Sequence, residues 1–289
     1  MILVTGSTGH LGKAVIDYLL KKVPANTIAA LARDENKAAD LKAKGVEVRM
    51  GTYNDYASLV SAFKGIDKLL LVSSNDMENR TRQQINTVNA AKEAGVQHIL
   101  YTSVSIKDIK HSAIAVVTES HDKTAEHIKA SGLAYTLLNN NLYADVLPMF
   151  LGDKVLETGI FFPAGNGKVP FATRDNMAAA AANILTSEGH ENKEYAVSSD
   201  ISYSFFDIAD TLSELSGKQI NYIDAPKDVY VETLTKAGVP EGYVSFFAGF
   251  AEAIKQNEFD LPNDTLETLI GKKPTSLKEY LQSTYFSNN

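Results

Sequence analysis

The chain has 289 residues, 44% hydrophobic and 22% charged, with a formal net charge of −7 and a pI near 5.4; this is an ordinary globular composition with room for one or two domains. The acidic balance, with no run of Lys or Arg, argues against a nucleic-acid footprint, and the lack of cysteine excludes disulfides, thiol chemistry and Cys-based zinc sites. The N-terminus enters a strand-like run with no charged leader, and stretches such as Met177–Leu185 fall far short of the ~20 apolar residues that span a bilayer, so a cytoplasmic protein without membrane insertion is expected.

The first half alternates extended and helical patterns. Ile2–Thr5 is a short apolar strand. His10–Lys22 is a helix with Leu11, Ala14, Val15, Tyr18 and Leu19 at helical spacing. Thr27–Ala32 is a second apolar run, Glu35–Lys44 a helix stopped by Gly45, and Val46–Met50 an alternating strand. Tyr56–Phe63 is a helix ended by Gly65, Lys68–Ser73 a strand, and Asn79–Ala94 a helix ended by Gly95. His98–Val104, a helix around Thr118–Ala130 and Ala134–Leu138 complete the series. Strands apolar on both faces that alternate with helices predict an α/β, doubly wound parallel sheet, a Rossmann fold. After Asn139 the character changes. Pro, Gly and aromatics punctuate 148–171, with a turn at Ala164-Gly165-Asn166-Gly167. The Ala-rich helix Asp175–Leu185 and the strand Glu194–Ser198 return to the sheet. Ser204 with Asp207 marks a helix start and Gly217 its stop, and several short helices fill 224–286. The expected division is a dinucleotide domain of 1–140 plus about 172–198, and a smaller, mostly helical substrate lobe of 141–171 and 199–289, with the ligand cleft between them.

Chemistry enters at Thr5-Gly6-Ser7-Thr8-Gly9-His10-Leu11-Gly12, which follows the first strand and opens the first helix. Gly6 lets the chain turn, Gly9 lets backbone approach phosphate, and Gly12 lets the helix pack closely. The cradle of Gly6, Thr8, Gly9, His10, Leu11 and Gly12 then offers free N–H groups and a helix N-terminus to a pyrophosphate. An NAD site places an acid at the end of the second strand, about 20 residues on. Here that strand ends Leu31-Ala32-Arg33. Arg33, assisted by Lys37, suits the 2′-phosphate of NADP(H), with NAD(H) as the secondary cofactor. Ser73 and Ser74 follow the fourth strand on the nicotinamide ribose side, and Gly51-Thr52-Tyr53 borders the adenine.

These residues resemble the NmrA-like branch of the atypical short-chain dehydrogenase/reductases. The resemblance rests on the glycine loop, Arg33 with Lys37-Ala38, Gly51-Thr52-Tyr53-Asn54, Ile99-Leu100-Tyr101-Thr102-Ser103, and Tyr135-Thr136-Leu137-Leu138-Asn139-Asn140 with Tyr143. It continues through Pro240-Glu241 and Gly271-Lys272-Lys273-Pro274-Thr275-Ser276-Leu277, and so spans the whole chain. Within the branch the chain is most similar to bacterial NAD(P)H:quinone reductases and triphenylmethane-dye reductases, and more distantly to NDP-sugar epimerases and NmrA-type redox-sensing regulators. It departs from the branch at Asn139, where Arg is usual, and at Thr52, where Asp is usual.

The superfamily's Tyr-x-x-x-Lys, a tyrosine acid/base with a lysine lowering its pKa, is missing. Tyr18 with Lys22 alone has the spacing, and it lies in the first helix. The helix that should carry the pair reads Thr118-Glu119-Ser120-His121-Asp122-Lys123-Thr124-Ala125-Glu126. Reducing a ketone gives an alkoxide that needs a proton donor. Reducing a quinone gives a phenolate-like anion whose conjugate acid has a pKa of about 10, and a cationic triarylmethane dye needs only hydride at carbon. Such acceptors need positioning and exclusion of water more than acid catalysis.

The expected activity is therefore hydride transfer from NADPH to a quinone or a similar small aromatic acceptor. The alternatives are a sugar-nucleotide epimerase-like enzyme, or an NADP(H) sensor without turnover. The resemblance implies Asn140 and Tyr143 at the cleft mouth, with Tyr143 stacking on or hydrogen-bonding the acceptor. It implies His121 as the residual proton donor, titrating near neutrality, and Ser103 in place of the active-site serine. His121 and His127 lie six apart and no His-Glu-x-x-His occurs, so no metal site is expected. Helix Asn79–Ala94 offers a face for a homodimer or for covering the sheet.

Overall fold

The computed structural model describes residues 1–286. In chain order the elements are β1 (Ile2–Val4), α1 (His10–Leu19), β2 (Ile28–Ala32), α2 (Ala39–Ala43), β3 (Glu47–Met50), α3 (Tyr56–Phe63), β4 (Lys68–Leu71), α4 (Arg80–Glu93), β5 (His98–Val104), α5 (Ala115–Ala130) and β6 (Ala134–Asn140). They continue with α6 (Leu147–Leu151), α7 (Val155–Thr158), β7 (Ile160–Phe161), α8 (Arg174–Leu185), β8 (Lys193–Val197), α9 (Phe205–Ser216), β9 (Tyr222–Ile223), α10 (Lys227–Lys236), α11 (Glu241–Lys255), α12 (Thr265–Ile270) and α13 (Leu277–Tyr285). No helix among the described residues is long and apolar enough to cross a membrane.

Seven strands form one parallel sheet in the order β3-β2-β1-β4-β5-β6-β8. Side-chain alternation builds a core on each face. Leu3, Leu69, Leu71, Ile99, Tyr101 and Leu137 face α3, α4 and α5. Val4, Leu70, Leu100 and Leu138 face α1 and α8. The alanines of α8, Ala178, Ala181 and Ala182 among them, are buried beside Val15 and Ile16 of α1. Small side chains there let the two helices lie close over the sheet. α4 buries Gln83, Gln84, Thr87, Val88, Ala90 and Ala91 between α3, α5 and the sheet.

Beyond the sheet, an aromatic core joins α6, α9, α11 and the two-stranded β7–β9 ladder. Phe150 stacks on Phe162 at 4.9 Å, and Phe162 meets Phe205 at 4.8 Å. The capping box expected at Ser204 and Asp207 is present, and Gly217 closes α9 in the left-handed region at φ 68°. The turn at 164–167 forms, with the Gly167 amide donating to the Ala164 carbonyl at 3.1 Å. It lies so close to α11 that a Cβ on Gly167 would fall 1.9 Å from the Ile254 carbonyl oxygen. Gly167→Ala is therefore expected to cost about 1–3 kcal/mol of stability through overpacking; an unchanged melting temperature would contradict that.

Several details depart from the sequence pattern, three of them with a clear physical reason. Glu35–Lys44 is not one helix but a 3-10 turn at Asn36–Ala38 followed by α2. The Asp34 carboxylate accepts the Asn36 amide at 2.9 Å, and a local bond of this kind competes with the helix start. β6 runs on to Asn140 because its backbone pairs with β5 on one side and β8 on the other, whatever its side chains. α12 packs on α8 and β8 through buried Leu266, on the sheet side, although the sequence places it with the lobe. Residues 287–289, also placed with the lobe, lie outside the described residues.

Candidate functional site

The order of connection reverses at β1, so the loops after β1 and β4 diverge and open a crevice at the carboxyl edge of the sheet. Gly6 turns the chain out of β1 with φ +58°. Its carbonyl accepts the Gly9 amide at 2.9 Å, and the first bond into α1 runs from the Lys13 amide to Gly9 at 3.0 Å. The amides of His10, Leu11 and Gly12 precede that bond, and Gly9 caps the helix without a side chain, so the α1 N-terminus presents unpaired N–H groups. A Cβ on Gly9 would meet only the Gly6 carbonyl oxygen, at 3.3 Å, whereas one on Gly12 would lie 2.3 Å from that oxygen. Gly12 is thus demanded by the loop behind the helix, more than by the sheet. Thr8, Gly9 and His10 are exposed on the open side. Ser7 is buried, and its hydroxyl donates to the Leu31 carbonyl at 2.7 Å, which fastens the loop to β2.

Arg33 follows β2 and Lys37 lies in the turn after it; both are exposed and neither forms an ion pair among the described residues. The sequence pattern puts Tyr53 beside adenine; in the fold its side chain is partly buried and turns its hydroxyl inward. Its hydroxyl lies 2.5 Å from Thr5 Oγ1 and donates to the Val72 carbonyl at 2.9 Å, bracing the β1 and β4 exits together. Burial raises its pKa. After β4, the Ser73 amide donates to Thr102 Oγ1 at 2.9 Å. The Ser74 hydroxyl donates to Gln83 at 2.6 Å, and its amide to Gln84 at 3.2 Å. Ser74 is therefore committed to holding the loop against α4, while Ser73 keeps a partly exposed hydroxyl at the rim.

At the other side of the crevice, Asn140 ends β6 and is buried. Its Nδ2 donates to the Tyr143 hydroxyl at 3.1 Å, and its Oδ1 is buried without a partner among the described residues. A polar atom left so in a folded chain points to a ligand group that is not protein. Tyr143 is half-buried with Arg174 over its ring at 4.8 Å. Burial raises its pKa, and the neighbouring arginines work the other way. Ser103, on β5 opposite Asn139, is nearly buried, and its hydroxyl makes no hydrogen bond among the described residues.

His121 does not have the near-neutral titration expected of it. It is 5% exposed, with Nε2 2.7 Å from Arg80 Nη2 and Nδ1 2.8 Å from the Tyr101 hydroxyl. Arginine only donates, so Nε2 accepts, the proton sits on Nδ1, and the ring is neutral. Burial and the adjacent guanidinium hold its pKa well below the usual imidazole range. A proton added at Nε2 would face a cation at hydrogen-bond distance, so His121 is not poised as an acid at neutral pH. Arg80 and Tyr101 complete this buried cluster around His121, and the sequence reading singled out neither. Tyr101 was legible as the polar tip in a strand whose neighbours face α5. Arg80 reads in sequence as the ordinary polar start of a helix.

Tyr18, the single tyrosine with lysine at the catalytic spacing, is far from this cluster in role. Its hydroxyl donates to Asp175 at 2.7 Å, tying α1 to the start of α8, and burial followed by Asp175 pushes its pKa up to about 12. Of the lobe aromatics, Phe162 and Phe205 are fully buried core. Phe161, Phe246 and Phe247 are partly buried, Phe250 is core, and Phe206 is exposed against Tyr222.

Comparison with known proteins follows the whole length of this architecture. Quinone oxidoreductase 2 of Escherichia coli (strain K12) is 38% identical over 291 residues, covering 100% of both chains. NAD(P)H azoreductase of Xenophilus azovorans is 30% identical over 243 residues, covering 83% of this chain and 82% of its own. The crystal structure of Citrobacter sp. triphenylmethane reductase complexed with NADP(H) superposes with a TM-score of 0.92 at 40% identity, covering 98% of this chain and 99% of that one. The model of the NmrA-like family matches residues 1–286, and with the glycine cradle, the arginine beyond β2 and the Asn140–Tyr143 pair in place, the chain belongs to the NmrA-like family.

Proposed function

We propose that the protein is an NADPH-dependent oxidoreductase that reduces quinones or related conjugated aromatic acceptors by direct hydride transfer. The carrying observation is the content of α5 at the crevice: a neutral, doubly hydrogen-bonded His121 where an alcohol dehydrogenase needs a Tyr/Lys pair. NADPH, when bound, supplies the hydride. The unpaired amides of His10, Leu11 and Gly12 hold its pyrophosphate, and Arg33 with Lys37 faces its 2′-phosphate. Asn140 Oδ1 accepts a hydrogen bond from the nicotinamide side of the site, and Ser103 offers a hydroxyl to an acceptor carbonyl. Tyr143, held by Asn140 and Arg174, presents its ring to the acceptor. Relatives that share the fold reduce quinones, azo compounds and triphenylmethane dyes by their names, which are the acceptors such a site suits.

The test is to mix the purified protein with NADPH and a panel of quinones and dyes and follow loss of the reduced cofactor. Rapid, enzyme-dependent oxidation is expected. Binding of NADPH without oxidation by any acceptor would replace this reading with a cofactor sensor. Tyr143→Ala is expected to lower kcat/KM for quinones about 2- to 10-fold, the worth of an aromatic stack, while the chain still folds, as a cooperative melting curve checks. Unchanged kcat/KM would remove Tyr143 from the site.

A further inference from the structure

Arg80 opens α4 at the end of the loop that leaves β4, and it is 6% exposed. No aspartate or glutamate among the described residues pairs with it. Among the described residues its hydrogen-bond contacts are His121 Nε2 at 2.7 Å and the weak acceptor Met77 Sδ at 3.7 Å, and its Nε is buried without a partner. A guanidinium has five N–H groups and stays charged, so this is a buried cation with one good acceptor, and that acceptor is neutral. Removing a charge from water without an opposite charge costs several kcal/mol. A fold that keeps one where the loop leaving β4 enters α4, against His121, has a use for it. His121 links the guanidinium to the Tyr101 hydroxyl, 2.8 Å from its Nδ1, and Arg80 acts electrostatically on Tyr143, which is bonded to Asn140, whose Oδ1 has no partner among the described residues.

We propose that Arg80 sets acceptor specificity: its unneutralised guanidinium, anchored by His121, favours acceptors that become anions on reduction over acceptors that begin as cations. The inference rests on the reductase reading above. A hydride added to a neutral quinone gives a hydroquinone monoanion; the cofactor is left oxidised, and one proton from water completes the hydroquinone. The negative charge develops on the acceptor during transfer, where a fixed nearby cation stabilises it. A hydride added to a cationic triarylmethane dye cancels the dye's charge and leaves a neutral product, so the same cation opposes binding of the oxidised dye. Arg80 is a positioned charge acting across the site, and His121 is the residue that positions it.

The experiment compares wild type, Arg80→Gln and Arg80→Lys, with melting curves as a folding control. NADPH oxidation is measured with a neutral naphthoquinone and with a cationic triarylmethane dye. The ratio of kcat/KM for quinone to that for dye is expected to fall at least about tenfold in Arg80→Gln, the loss of one charge-assisted interaction, and to be largely kept in Arg80→Lys. A parallel loss for both acceptors, or no change in the ratio, overturns the proposal. A second measurement uses the wild type without turnover. A nitrophenol bound in the presence of NADP⁺ is expected to carry a larger phenolate fraction, read by its visible absorbance, than free nitrophenol at the same pH. An equal or smaller fraction overturns the proposal. If the wild type oxidises NADPH with neither acceptor, the reductase reading fails, and the nitrophenol spectrum still decides the effect of the charge.

Discussion

Gly12→Ala is expected to bind NADPH at least about a hundredfold more weakly than the wild type and to lose about 1–3 kcal/mol of stability. The added Cβ would stand 2.3 Å from the Gly6 carbonyl oxygen, 2.7 Å from its carbon and 3.0 Å from Ser7 Cα. All three are backbone atoms, so no rotamer relieves the clash. Either α1 moves outward or the loop opens, and both displace the amides of His10, Leu11 and Gly12 from the positions where they converge. Losing two charge-assisted hydrogen bonds at roughly 1.5–3 kcal/mol each gives the hundredfold. Gly9→Ala is the informative control. Its Cβ meets only the Gly6 carbonyl oxygen, at 3.3 Å. It should therefore melt close to the wild type while still impairing cofactor binding, because its side chain enters the space kept for phosphate. Calorimetry and fluorescence titration with NADPH measure the two effects. Wild-type affinity in Gly12→Ala would show that the loop tolerates a shift and that the cradle is not where the cofactor is held.

Arg33→Ala should weaken NADPH about 10- to 100-fold and leave NADH nearly unaffected. The arginine is exposed, follows β2 directly and is not neutralised by a carboxylate among the described residues. A fixed cation that no acid claims is suited to a mobile anion, and the 2′-phosphate is the group by which the two cofactors differ. Parallel titrations of both reduced cofactors, repeated at raised salt, check this. The NADPH preference should shrink with salt, since the pair is at the surface. Equal loss for both cofactors would mean that Arg33 serves the loop structure rather than the phosphate.

The glycine loop and the cation after β2, the parts proposed to hold the cofactor, were legible from sequence because their determinants are local. A glycine loop between a strand and a helix, and the residue that ends the next strand, are fixed by positions a few residues apart. Even so, the side chain of Tyr53 could not be placed. Whether it borders adenine or turns under the loop depends on Thr5 and Val72, which meet it only once β1 and β4 are side by side. The acceptor side was less legible. His121 reads in sequence as a surface histidine or a proton donor, and it is neither in its folded surroundings. Its state depends on Arg80, 41 positions away, and on Tyr101, 20 positions away.

The sequence by itself determined the strand and helix order of the first 140 residues, the parallel sheet, the glycine loop and the cationic residue beyond β2. Each follows from side-chain periodicity, glycine stereochemistry or a charge at a fixed offset, and these act over short stretches of chain. The tertiary structure alone decided the charge states at the crevice. It buried Arg80 without an ion-pair partner among the described residues and set it against His121, thereby forcing the imidazole neutral. It also left Asn140 Oδ1 without a partner among the described residues. Desolvation and proximity between distant segments govern such groups, and neither exists until α4, α5 and the ends of β5 and β6 are packed together.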